Sequence, residues 1–168
     1  TTLDIVNSSN SYKKMAGTLN IVFGSTLSIS GLTSGTSNVG VDVLGNITND
    51  GTVILTSGTS QRLRCTNFVN GNTNTSAVLT LTSGTVGGDL EVTGNFTDNA
   101  TSNFNARAVF FTGTGVQTIG GTASAPFNVD YIVSNKASGS VQLLVDCLTG
   151  GPNGGNAISL VNTTDIFD

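Results

Sequence analysis

Asp89 and Glu91 stand two residues apart in the stretch DLEVTG (89–94). In an extended chain the side chains at i and i+2 share one face, so these two carboxylates point the same way. Carboxylates gathered on one face can serve as general acid and base in glycoside cleavage. They can equally hold a calcium ion beside a basic residue in the cleavage of acidic polysaccharides. Asp42 joins them through an internal match. VGVDVLGNITND (39–50) sits beside VGGDLEVTGNFTDN (86–99), with Gly45-Asn46 answering Gly94-Asn95 and Asp42 answering Glu91. The competing reading is an ordinary solvated strand face, favoured because no Lys or Arg lies near these carboxylates in sequence.

Other chemistry is sparse. The chain has no histidine, which removes the base of a nucleophilic triad. Two cysteines alone do not make a metal site. GGPNGG (150–155) is not a calcium-binding repeat of the Gly-Gly-x-Gly-x-Asp type, and no phosphate-binding loop occurs. No catalytic, cofactor or metal residues are therefore assigned. Cys65 falls in phase with Leu63, and Cys147 with Val141, Leu143 and Val145, which reads as core thiols. A disulfide, within or between chains, is the alternative. Thr-x-Thr pairs at Thr73/Thr75, Thr80/Thr82 and Thr112/Thr114 suggest a remote third possibility, an ice-binding face. Their spacing is irregular. Glycosylation sequons stand at Asn7, Asn46, Asn74, Asn95, Asn99 and Asn162, about as many as this composition yields in random order.

The elements that must position these groups are strands. Gly, Ser, Thr and Asn make up about half of the 168 residues, yet there are two prolines, one glutamate and three lysines. Disordered chains are rich in Pro, Glu and Lys and poor in β-branched residues; this chain is the reverse. Short alternating bursts recur, among them TLSIS (26–30), VGVDVL (39–44), TVILT (52–56), DLEVTG (89–94), ARAVFFT (106–112) and SVQLLVD (140–146). Turn clusters such as Asn49-Asp50-Gly51 and Gly120-Gly121 separate them. No window has a helical period. LTSG starts at Leu32, Leu55 and Leu81, and spaced echoes of this kind mark a solenoid. The expected fold is all-β: a right-handed parallel β-helix (β-solenoid) with coils of roughly 20–30 residues. An antiparallel β-sandwich is the alternative.

With 10% charged residues, the chain stacks like on like without repulsion. Its net charge of −4 and six scattered cations, Lys13, Lys14, Arg62, Arg64, Arg107 and Lys136, argue against nucleic acid. Apolar runs of about four residues fall far short of the ~20 that span a bilayer, so no membrane insertion is expected. No secretory leader is visible; the composition suits an extracellular, mature or trimmed product. Residues 1–168 read as one open-ended domain. NSSNSYKKMA (7–16) is a candidate N-terminal cover, with Lys13 and Lys14 guarding the edge. The ending DIFD keeps strand character, so that end is expected to continue into, or stack on, further coils or another subunit.

The run GTGVQTIGGTASAPFNVDYIVSNKASGSVQL resembles a repeat of large secreted surface proteins of Bacteroidetes-type bacteria. Gly113, Thr114, Gly115, Gln117, Thr118, Ile119, Phe127, Asn128, Ile132, Asn135, Gly139, Val141 and Leu143 carry the resemblance. It implies a surface-displayed β-solenoid scaffold or adhesin and brings no catalytic residues. In that setting Gln117 is expected in an amide ladder or a capped corner. The expected function is a secreted, non-enzymatic structural protein that self-assembles through strand edges into a filament, sheath or tube, or forms an adhesin stalk. Glycans or a host surface are conceivable partners. The alternative is a carbohydrate-binding or polysaccharide-cleaving β-helix centred on Asp42, Asp89 and Glu91. Aromatic content of 6% with no Trp weakens sugar stacking.

Overall fold

In the computed structural model of the chain the described residues are 1–6, 12–30, 39–55, 61–81, 89–122, 127–150 and 156–168. Among them there is no helix, and every strand pairs in parallel with a strand of an adjacent coil. The expected parallel β-solenoid is the fold found, with three faces, and the alternative antiparallel sandwich does not form. The first face stacks Thr2–Val6, Thr26–Ser30, Thr52–Leu55, Val78–Thr80 and Thr101–Asn103. The second stacks Tyr12–Met15, Val39–Val43, Gln61–Cys65, Asp89–Val92, Ala108–Phe111, Tyr131–Ser134 and Ile158–Leu160. The third stacks Leu19–Ile21, Ile47–Asn49, Phe68–Asn70, Phe96–Asp98, Gln117–Gly120, Ser140–Leu143 and Ile166–Phe167. Phe127–Val129 and Cys147–Thr149 form a separate two-stranded sheet. Partners run from Leu90 with Val109 to Phe68 with Phe96, so a coil takes about 19 to 28 residues.

Alternation sets the register. In TLSIS, Leu27 and Ile29 are buried while Thr26, Ser28 and Ser30 are half-buried. Each inward residue sits over its counterpart one coil away. Val41, Leu63, Leu90, Val109 and Ile132 form one such row, and Ile47, Phe68, Phe96 and Ile119 another. These side chains are 0–1% exposed. The Phe68 and Phe96 rings lie 6.1 Å apart, and Phe104 packs edge-on to Phe96 at 6.3 Å, both within the favourable aromatic range. Burying a Leu or Phe in this way contributes roughly 1.5–3 kcal/mol each.

Two glycines are required by this stacking. A Cβ at Gly40 or Gly121 would lie 1.9 Å from the carbonyl oxygen of Arg62 or Asp98, and both residues have positive φ, +148° and +137°. Lys13 lies directly over Val41 in the inward row of the second face and is exposed there. A cation in that row opposes further strand pairing, as expected of an edge guard. The rest of the predicted N-terminal cover, residues 7–11, lies outside the described residues. No helix is long and apolar enough to cross a membrane among the described residues.

Candidate functional site

The three predicted carboxylates come together on the outer side of the second face. Two outward rows run along it. One pairs Lys14 with Asp42, Asp42 with Arg64, and Arg64 with Glu91. The other pairs Tyr12 with Gly40, Gly40 with Arg62, and Arg62 with Asp89. The basic residues that sequence proximity failed to supply are thus provided by the neighbouring coil. The first row alternates in sign over four coils, the arrangement that cross-strand pairing favours.

Glu91 is the hub. Arg62 Nη1 donates to its Oε2 at 2.9 Å, while Arg64 Nε lies 3.1 Å and Thr112 Oγ1 3.2 Å from Oε1. Arg64 also reaches Asp42 at 4.0 Å. Each guanidinium also meets one aromatic ring. Arg62 covers the Phe110 ring at 3.7 Å and Arg64 the Tyr12 ring at 4.8 Å, which adds a cation–π contribution. Burial first, then the Glu91 charge, push the Tyr12 phenol up to about 12. Asp89 Oδ1 accepts the Ala108 amide at 2.9 Å. Burial raises the Asp89 carboxyl above its ordinary value, and that hydrogen bond, Arg62 and Arg107 hold it back.

This arrangement is self-neutralising. Both oxygens of Glu91 are engaged, whereas a catalytic carboxylate must reach a substrate proton or water. No group of three or more His, Cys, Asp or Glu side chains is placed to hold a metal among the described residues. What the cluster does is tie four successive coils together, from Tyr12 through Asp42 and the two arginines to Glu91, with Phe110 on a fifth.

The Asn49–Asn70–Asp98 ladder and the burial of Lys136 escaped the sequence reading, whereas the role of Gln117 was among its expectations. In the third face Asn49 Nδ2 donates to Asn70 Oδ1 at 2.8 Å, and Asn70 Nδ2 to Asp98 Oδ1 at 2.9 Å. All three are at most 2% exposed. Their turns are capped as well, by Gly51 N to Asn49 Oδ1 and Ala100 N to Asp98 Oδ1. The signal was an apolar-x-Asn/Asp triplet, Ile47-Thr48-Asn49, Phe68-Val69-Asn70 and Phe96-Thr97-Asp98, followed by a turn. Gln117 is a capped corner rather than a ladder. Its Oε1 accepts from Gly113 N, and its Nε2 donates to the Val92 and Gly94 carbonyls. Lys136, fully buried, donates Nζ–H to Gly113 O and to Gln117 Oε1.

Among the sequons, Asn46 and Asn95 are exposed on one corner with Asn67 between them. Asn67 Nδ2 donates to Asn46 Oδ1, and Asn95 N to Asn67 Oδ1. The amide nitrogens of Asn74, Asn99 and Asn162 are engaged with Asp50, Gly71 and Lys136 carbonyls. Asn7 lies outside the described residues. Cys65 is buried, Cys147 half-buried, and both are free thiols. They sit four coils apart, about 19 Å at strand spacing, which rules out a disulfide within the chain. Burial raises the pKa of both thiols, that of Cys147 to about 11. The Thr-x-Thr pairs form no common array. Thr80 lies on the first face, Thr112 beyond the second and Thr73 outside the strands, while Thr82 is outside the described residues. Compared with protein families, curated proteins and solved structures, the chain matches none.

Proposed function

We propose that the chain is a non-enzymatic structural β-solenoid of an extracellular assembly, a filament, sheath, tube or adhesin stalk, whose copies associate laterally through its uncharged faces. One observation carries this reading. On the first face the outward positions from the second coil onward are Thr26, Ser28, Thr52, Ile54, Val78, Thr80, Thr101 and Asn103. None is charged. Another copy can lie on such a face without stripping water from an ion, and the charges on the second face are already neutralised by one another. The resemblance of residues 113–143 to repeats of secreted bacterial surface proteins supports the extracellular setting.

Electron microscopy and light scattering over a concentration series test it. Ordered filaments, tubes or sheets are expected, and Ile54→Lys should abolish lateral association while leaving the β spectrum unchanged. Monodisperse particles at every concentration would refute self-assembly by this chain. A second reading, glycan binding on the second face, rests on Asp42, Asp89 and Glu91 sharing its outer side with Arg62 and Arg64. For that reading, Asp89→Ala with Glu91→Ala should remove glycan binding with the fold intact.

A further inference from the structure

The geometry points to a covalent cross-link between adjacent coils: an isopeptide bond from Lys136 Nζ to the side-chain carbonyl carbon of Gln117. The reading is independent of whether the rod assembles. Lys136 is 0% and Gln117 1% exposed. Nζ sits 2.5 Å from Gln117 Oε1 and 2.8 Å from Gly113 O. Both acceptors are neutral. A buried ammonium held only by neutral groups carries a large desolvation cost. Asp165 does not neutralise it by contact: the carboxylate accepts instead from the backbone N–H groups of Lys136 and Asn162, at 2.9 and 2.8 Å. An amide in place of the ammonium removes the buried charge.

The surroundings are suited to forming that amide. The Gly113 N–H donates to Gln117 Oε1 at 2.9 Å, polarising the carbonyl and positioned to stabilise negative charge on that oxygen. Nε2, the departing nitrogen, is held at 3.1 Å by Val92 O and also by Gly94 O. A desolvated lysine amine is an activated nucleophile, and the hydrogen bond to Oε1 holds Nζ beside the amide group whose carbon it would attack. Burial also lowers the Lys136 pKa, opposed by the Asp165 charge, which increases the share of free amine. In the step, the Nζ–Cδ bond forms and the Cδ–Nε2 bond breaks. One Nζ proton passes to Nε2, which leaves as ammonia. Any second proton of the starting ammonium departs with it as ammonium ion. Neither oxidant nor water is consumed.

Intact-mass spectrometry of the purified chain, with a tryptic map, tests the proposal. The expected mass is lower than that of the sequence by one ammonia. Trypsin should fail to cut after Lys136, so that residues 108–168 appear as a single peptide, with a fragment spectrum linking Lys136 to Gln117. In Lys136→Arg the mass deficit should vanish and cleavage after position 136 return. A full sequence mass with ordinary cleavage at Lys136 overturns the proposal. So does an ammonia loss that maps elsewhere, such as a succinimide at Asn70-Gly71. Should Lys136→Arg fail to fold, the map of the unaltered chain decides alone.

Discussion

Replacing Asn70 by Ala should be among the most damaging single substitutions in this chain. The Asn70 amide accepts from Asn49 Nδ2 and donates to Asp98 Oδ1 and Thr101 O at 2.8, 2.9 and 2.9 Å, with Ser102 Oγ at 3.2 Å. The bond to the carboxylate is worth about 2 kcal/mol and each neutral bond about 1 kcal/mol. Asn49 keeps its bond to Val78 O, and Asp98 keeps Ala100 N, so the loss is partial at both ends. The expected cost is about 4 kcal/mol, or a fall in Tm of about 8–16 °C at this chain length. Thermal unfolding followed by circular dichroism, beside Thr97→Ala on the outer side of the same face, supplies the comparison. The control should shift stability by less than about 0.5 kcal/mol. A double-mutant cycle with Asp98→Ala isolates the pair term. If Asn70→Ala costs under about 1 kcal/mol, the buried ladder contributes no more than ordinary surface bonds and the reasoning fails.

Burial raises the Asp98 carboxyl above its ordinary value, against the opposing bonds from Ser102, Asn70 and Ala100. The native state therefore holds this proton at pH values where the unfolded chain has released it, and stability falls as pH rises from about 4 through the native value. Asp98→Asn should flatten that part of the pH–stability curve, and an unchanged slope in urea titrations between pH 3.5 and about 7 would refute it. Glu91→Ala should cost about 2 kcal/mol, because it removes the close carboxylate partner of both arginines and leaves Arg64 only the 4.0 Å approach to Asp42, with both guanidiniums partly hydrated. Chemical denaturation at low and high salt would measure this. A thiol reagent should modify Cys147 at a rate that climbs with pH toward about 11, whereas Cys65 should react only on unfolding. Equal rates for the two in the native protein would contradict the burial difference.

Strands with five alternating residues, such as Thr26–Ser30, were plain in the sequence because inward Leu27 and Ile29 flank outward hydroxyls. The third face was not, because Ile47–Asn49, Phe68–Asn70 and Phe96–Asp98 have three residues each and place a polar side chain inward. Alternation puts the last position inward with Ile47, Phe68 or Phe96, but its polar side chain argues for solvent, and only the partner one coil away makes burial of Asn70 intelligible. For the charged cluster, spacing put Asp89 and Glu91 on one face and the Gly-Asn match added Asp42. Arg62 and Arg64 were invisible as partners, since their pairing with Asp89 and Glu91 depends on the length of the intervening coil. Lys136 is the clearest override. Asn135-Lys136-Ala137-Ser138 carries no apolar alternation that would mark a buried position, yet Gly113 and Gln117 draw the lysine inside.

Among the described residues each coil is hydrogen-bonded only to the coils before and after it, and those bonds point along the stacking axis. Tension applied between the two ends would therefore load the rungs one at a time, like thread drawn from a spool. Releasing a coil of 24 residues, the span from Gln117 to Val141, would lengthen the chain by about 75 Å, since the freed segment extends to about 80 Å where the rung occupied about 5 Å. Ruptures should come as a sequence of small steps rather than one large one. A bond between Gln117 and Lys136 would withhold the loop it encloses, shortening one step of that sequence and leaving the others unchanged.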